Sequence, residues 1–291
     1  MTEYLAALQA AYPILVYAIV LMFGMIFGSF LNVVIHRLPV MMERDWQAQA
    51  REVLGQEPSL ATEPYNLVVP RSACPGCGRQ IKAIENIPVV SYLFLRGRCA
   101  GCGMHISARY PAVELATGIL FVLVVAKLGL TPAGLAGVTL TFALIGASMI
   151  DYDHQLIPDD ISLPLMWLGL IVNYFDVIVG FRDAFWGAVA GYLCLWTVYQ
   201  AFKLVTGKEG MGYGDFKLLA ALGAFMGWQM LPLIVILSSF VGAIIGGALI
   251  VFGRDRSHPI PFGPYLAIAG FIALLWGHEL TTTWLQFTAV K

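Results

Sequence analysis

The chain has 291 residues, 59% of them hydrophobic and only 12% charged, with a formal net charge of -1. That much apolar surface exceeds what a water-soluble domain hides in its core, which excludes an ordinary soluble protein. Near-neutral charge also leaves no basic face for a phosphate backbone, so no nucleic-acid partner is expected.

A helix needs roughly 20 apolar residues to cross a hydrocarbon layer of about 30 Å. Eight such runs are predicted, with soft edges: residues 13–35, 112–128, 132–150, 161–180, 184–204, 216–231, 233–252 and 264–280. The sixth is short, which suits a tilted or broken helix, and Trp228-Gln229-Met230-Leu231-Pro232 blurs its border with the seventh. Residues 1–12 hold Glu3 and no Lys or Arg. Without the basic flank of a secretory signal, the first run reads as a retained anchor with its N-terminus outside. Placing the 36–111 loop inside puts 14 of the 17 basic residues on the cytoplasmic side and leaves Lys127, Arg182 and Lys291 outside. That orientation satisfies the positive-inside rule and turns both chain ends outward.

Residues 36–111 form the one segment that reads as an aqueous module, with nine basic and six acidic residues and four of the five cysteines. Within it, residues 41–56 alternate charged and apolar positions, the pattern of either an amphipathic surface helix or an ordinary solvated one. Cys74-Pro75-Gly76-Cys77 and Cys99-Ala100-Gly101-Cys102 are CxxC knuckles separated by 21 residues. Each knuckle offers two thiolates from a tight turn, and Gly76, Gly78, Gly101 and Gly103 allow the backbone that such a turn requires. Four sulfurs at this spacing point to a tetrahedral zinc site, structural rather than catalytic. Two disulfides and an iron-sulfur cluster are the rival readings; cytoplasmic thiol chemistry disfavours the first and the ribbon-like spacing the second. Cys194, in the middle of the fifth run, reads as a small packing residue. The expected fold is therefore an all-α polytopic membrane protein of about eight transmembrane helices, bathed in membrane lipids. Its parts are an anchor (1–35), a small cytoplasmic zinc-ribbon-like loop domain (36–111) and a transmembrane domain (112–291).

Asp151 follows the third run in Ile150-Asp151-Tyr152-Asp153-His154, and Asp215 precedes the sixth in Gly212-Tyr213-Gly214-Asp215-Phe216. Two predicted crossings separate them, so they emerge on one face whichever way the chain is inserted. Carboxylates near hydrocarbon are costly unless they have a partner, a cavity or a task. One reading of Asp215 is a cap on a helix beginning at Phe216. The flanking Gly212 and Gly214 permit a sharp bend and close approach of a substrate strand, which favours a catalytic reading. Asp159 and Asp160, just after Pro158, read as caps of the fourth run, and Asp153 and His154 as interfacial ligands or polar flank. Asp151 lies at a helix C-terminus, where the macrodipole disfavours an anion, so it is no cap. Two carboxylates sharing a site hold one proton between them. From the helix ends, Asp215 is expected to be the anion that activates water and Asp151 the acid that protonates the scissile carbonyl.

On these residues the chain resembles the bacterial type IV prepilin peptidases, membrane aspartic proteases with a GxGD motif. The resemblance runs over nearly the whole length. It is carried by Gly28-Ser29-Phe30-Leu31-Asn32 through His36-Arg37-Leu38-Pro39, by the two knuckles with Glu85-Asn86-Ile87-Pro88 and Leu95-Arg96-Gly97-Arg98-Cys99, and by Ile106-Ser107-Ala108-Arg109-Tyr110-Pro111. Asp151 through Asp159, Gly212-Tyr213-Gly214-Asp215 and Pro261-Phe262-Gly263-Pro264-Tyr265 complete it. It implies that Asp151 and Asp215 are catalytic and that the substrates are type IV prepilins or type II secretion pseudopilins. Their short basic leader, ending in Gly, is cut at the cytoplasmic face of the inner membrane, before a hydrophobic helix that usually begins with Phe. Relatives with the cysteine loop also N-methylate the new N-terminus from S-adenosylmethionine, so this chain is expected to be bifunctional. Gly97 matches a position to which that methyl transfer is sensitive.

Two other classes share some of these features. A transporter or ion channel also carries intramembrane carboxylates and broken helices, but predicts charges near the midplane and symmetric halves. Here the aspartates lie at the edge, and no internal repeat stands out. A non-enzymatic membrane assembly factor docking through its zinc loop would leave both aspartates dispensable.

Overall fold

A computed structural model describes residues 2–56, 64–251 and 261–289. The chain forms two compact units, Leu8–Leu123 and, with a short N-terminal piece, Val124–Lys291.

In the first unit a short helix, α1 (Thr2–Ala11), leads to α2 (Pro13–Val53), which opens on a proline at its first turn, where the missing N–H costs nothing. At 41 residues α2 is about 60 Å long, twice the hydrocarbon thickness. The segment expected as a separate helix at 41–56 is therefore the continuation of the first span, running through Pro39 without a break. Helix α4 (Arg109–Leu128) packs on α2 through small residues. A Cβ on Gly24 would lie 2.6 Å from the Gly118 Cα, and one on Gly28 2.7 Å from the Glu114 Cα, so the two backbones touch. Between them the chain carries a 3-10 turn (Ala83–Asn86) and a short helix, α3 (Val90–Phe94). Two side chains of the long helices hold this module. Arg37, buried on α2, donates to the carbonyls of Asn66 (2.9 Å) and Pro70 (2.6 Å), and the buried Glu114 on α4 accepts the Val89 N–H at 2.8 Å.

The second unit holds α5 (Pro132–His154), α6 (Asp159–Tyr174), α7 (Phe181–Thr206), α8 (Tyr213–Met226), α9 (Leu231–Val251) and α10 (Gly263–Ala289). Helix α8 is its axis: Phe216, Leu218, Leu219, Leu222 and Phe225 have no exposed surface. Glycines on three neighbours bring their helices against it. Gly187 and Gly191 on α7, Gly169 on α6 and Gly270 on α10 all face α8 atoms at distances no side chain would tolerate. At its far end the buried Asn173 donates to the carbonyls of Ala224 (2.8 Å) and Phe225 (2.9 Å), while its Oδ1 accepts the N–H groups of Ile178 and Val179, both at 3.1 Å. One side chain thus satisfies helix-end carbonyls that lack a partner within α8 and turns the chain from α6 toward α7.

All eight expected runs are helical, but among the described residues six helices are long and apolar enough to cross a membrane. The other two, α6 and α8, have 16 and 14 residues, about 24 and 21 Å. The fourth run stops at Tyr174 rather than 180 because Asn173 binds the following turn, and the sixth stops at Gly227, whose φ of +79° breaks the helix. Cys194, expected to pack inside, is exposed on α7. The buried positions of that helix are Ala184, Gly187, Ala188, Gly191, Leu195 and Tyr199.

Candidate active site and metal centre

Three turns of the second unit converge. Asp151 lies in the last turn of α5, which ends when Gln155 takes a left-handed conformation (φ 55°) and its N–H bonds the Asp151 carbonyl at 2.8 Å. That reversal carries Ile157 inward, where it is 5% exposed. A Cβ on Gly214 would lie 2.8 Å from Ile157 Cβ, and one on Gly263 would lie 2.9 Å from Ile157 Cδ1. Ile157 is therefore wedged between the turn that bears Asp215 and the turn that opens α10.

Both aspartates are buried, Asp151 6% and Asp215 7% exposed. Their surroundings differ. Asp151 Oδ2 accepts the Gly263 N–H at 2.9 Å. Asp215 Oδ1 has no hydrogen-bond partner among the described residues, and Oδ2 faces the Gly212 backbone. Helix α8 begins at Tyr213 with Gly212 at its cap, so Asp215 stands inside the first turn and is not the cap that one reading allowed. Nor is Asp159 a cap: Pro158 occupies that position, and both Asp159 oxygens lie 2.6 Å from Lys217 Nζ on α8. Asp153 and His154 are exposed.

Aromatic rings brace the Asp215 turn. Tyr199 of α7, Tyr213 and Phe216 form a triangle with centroids 5.4 to 5.6 Å apart. Lys203 lies over the Tyr199 ring at 5.6 Å and pairs with Glu209, in the loop between α7 and α8, at 2.8 Å. Sequence reasoning missed Tyr199 and Lys217 and marked Ile157 only within the Asp151-to-Asp159 stretch of a resemblance. Gly263 was marked only as part of a resemblance, although a glycine between two prolines before a helix was a local cue.

In the first unit the two knuckles fold alike. The N–H of Cys74 bonds the carbonyl of Arg79 (2.9 Å) and that of Gly78 bonds the carbonyl of Cys74 (2.9 Å); Cys99, Met104 and Gly103 repeat the pattern at 2.8 and 2.9 Å. The residue after the second cysteine is left-handed in both, φ 69° at Gly78 and 73° at Gly103. All four sulfurs lie within 4.8 Å of one another, and Cys74 and Cys102 are 3.8 Å apart. A tetrahedron with Zn–S bonds of about 2.3 Å requires sulfurs about 3.8 Å apart, so the donor set fits zinc. The N–H groups of Cys102 and Gly101 pull the Cys99 thiol down to about 6, while at Cys102 the Met104 N–H is outweighed by the Cys77 sulfur and burial, which push that thiol up to about 11, so the thiols of the cluster titrate together. Arg79 beside the first knuckle pairs with Glu85 at 2.6 Å, and the Lys82 N–H and Arg79 hold that carboxyl below its usual range.

Gly97 closes α3. Its φ is +66°, its N–H bonds the Tyr92 carbonyl at 2.9 Å, and its own carbonyl accepts the Ile106 N–H at 2.7 Å. A Cβ there would lie 2.9 Å from Tyr92 Cζ and Oη, so the Tyr92 ring packs directly beside Gly97.

Residues 22–128 match the family described as the bacterial peptidase A24 N-terminal domain, and residues 138–247 match the type IV leader peptidase family. The chain is 56% identical over 283 residues to a prepilin leader peptidase/N-methyltransferase of Pseudomonas aeruginosa, covering 97% of this chain and 98% of the relative. A protein of the same description from Stutzerimonas stutzeri is 56% identical over 279 residues, 96% of each chain, and one from Aeromonas hydrophila 55% identical over 275 residues, 94% and 95%. No solved structure gives a significant match.

Proposed function

The chain belongs to the bacterial type IV prepilin leader peptidase/N-methyltransferase family, and from that premise we propose that Asp151 and Asp215 are the pair that hydrolyses the leader peptide. The chain is a multi-pass inner-membrane enzyme that cleaves type IV prepilins and N-methylates the product. Pseudopilins of type II secretion are substrates of the same chemistry, and the site opens to the cytoplasm, the side that the basic residues mark.

The convergence of Asp151 and Asp215 around Ile157 carries the reading, since a two-carboxylate mechanism needs both acids beside one water. Their hydrogen bonds support a division of labour opposite to the one expected from helix ends alone. A hydrogen bond to a charged group contributes about 1.5–3 kcal/mol, whereas a helix end contributes about 0.3–1 kcal/mol. The Gly263 N–H therefore outweighs the unfavourable end of α5, and Asp151 is the anion. Asp215 has only the Gly212 backbone beside one oxygen, and its buried Oδ1 has no donor among the described residues, so in this reading it holds the shared proton. Asp151 then takes a proton from water as it attacks the scissile carbonyl, and Asp215 donates to the carbonyl oxygen. The pair titrates as a unit, so the division describes the dominant microstate.

Zinc, held by Cys74, Cys77, Cys99 and Cys102, would act as a structural crosslink that keeps the 36–111 module folded. Anchor (1–35), metal module (36–111) and hydrolytic domain (112–291) would then divide the work. S-adenosylmethionine is the methyl donor; Gly97 acts on that step through the turn it closes against Tyr92. Co-expression of a prepilin with the wild type, Asp151→Asn or Asp215→Asn tests the assignment on a gel. Both variants should leave the leader attached; removal of the leader by either one eliminates that residue from the mechanism.

A further inference from the structure

We propose that Gly263 is a positioning residue for hydrolysis: its N–H, the first of helix α10, fixes the Asp151 carboxylate in the place where water is activated. The inference rests on the reading of Asp151 and Asp215 as the hydrolytic pair.

Gly263 donates to Asp151 Oδ2 at 2.9 Å in a buried setting. As the first helical residue it has no acceptor within α10, so the carboxylate supplies the partner that the helix lacks. The turn is preset to aim that N–H. Pro261 and Pro264 flank it, and the Phe262 carbonyl takes the next two available donors, Tyr265 and Leu266, both at 3.1 Å.

The position also admits no side chain. A Cβ on Gly263 would lie 2.7 Å from Asp151 Oδ2, 3.1 Å from its Cγ and 2.9 Å from Ile157 Cδ1. Gly263 does not have the left-handed φ that calls for glycine, so the requirement is for room beside the carboxylate rather than for backbone freedom. Displacing Asp151 by even part of that overlap would spoil its line to water, and a misplacement of about 1 Å costs about 100-fold in rate.

The test uses the purified full chain, with cleavage of a prepilin and methyl transfer to an already cleaved pilin measured side by side. Gly263→Ala should lower kcat for cleavage about 100-fold while KM stays within about twofold, and methyl transfer should persist. Adding Ile157→Val, which removes Cδ1, should leave the double variant as slow relative to Ile157→Val alone. Wild-type kcat, a loss confined to KM, or recovery in the double variant would overturn the proposal, the last by tracing the damage to Ile157 packing. If Gly263→Ala loses both activities, hydrogen exchange decides. Between Pro261 and Pro264 only Phe262 and Gly263 carry an N–H, and Asp151→Ala should speed exchange there by about tenfold, the worth of a hydrogen bond to a charged group. Unchanged exchange overturns the proposal. Cleavage by Asp151→Asn would instead remove the underlying reading of the pair, whereas an inert Asp151→Asn beside a fully active Gly263→Ala removes the positioning role alone.

Discussion

A Cβ atom on Gly223 would lie 2.1 Å from the carbonyl oxygen of Gly187, so helices α7 and α8 meet backbone to backbone. That contact draws a 14-residue helix into the centre of its unit and carries Asp215, in its first turn, to the buried position beside Ile157. Gly223→Val should therefore cost about 3 kcal/mol, the upper end of overpacking, and lower the melting temperature in detergent together with cleavage. Gly247→Ala, where a Cβ meets nothing within 4 Å, should melt at or slightly above the wild-type temperature. Equal melting of the two variants would show that α8 is not held by this contact.

Substitution of the knuckle cysteines should separate the two activities. Cys74→Ser should lower bound zinc, measured by elemental mass spectrometry, and lower methyl transfer more than leader removal. Cys74 is buried and its sulfur lies 3.8 Å from that of Cys102, so its loss opens the tetrahedron. A fully methylated pilin from a zinc-free protein would defeat this division.

At Gly97 two costs add, a left-handed backbone and a collision with Tyr92. Gly97→Ala should reduce methylation of the pilin N-terminus, read by mass spectrometry, and spare cleavage. Adding Tyr92→Ala removes the collision but not the backbone cost of about 1–2 kcal/mol, so recovery should be partial. Complete recovery, or none, would show that only one of the two costs operates.

The eight apolar runs were legible because hydrocarbon selects for length and composition alone. The meeting of the Asp151 and Asp215 turns at Ile157 was expected only from a count of two crossings, whereas of the two helices between them α7 alone is long enough to span a membrane. The knuckles announced themselves through ligand type and spacing. What could not be read depends on contacts between distant residues. Gly169, Gly187, Gly191 and Gly270 look like ordinary small residues until three helices assemble around α8. Asn173 looks like a stray polar residue until its amide meets the end of a helix 51 positions later. The proposed reversal of the two aspartates' roles has the same origin. Helix ends were visible in the sequence, whereas the donor at Gly263, 112 residues from Asp151, was not.

The division of roles is open to spectroscopy. With isotope-labelled aspartate, the infrared difference between the wild type and Asp215→Asn at neutral pH should show loss of a protonated carboxyl band. Loss of a carboxylate band instead would return the acid role to Asp151.

Water activation by the pair is tested most directly by single-turnover cleavage of a prepilin in oxygen-18 water with hydroxylamine present. One labelled oxygen in the new leader carboxyl, with no leader hydroxamate, is the predicted result, because water attacks without a covalent enzyme intermediate. Leader hydroxamate, or a leader attached to the protein, would mean that a side chain rather than water is the nucleophile and would contradict the account.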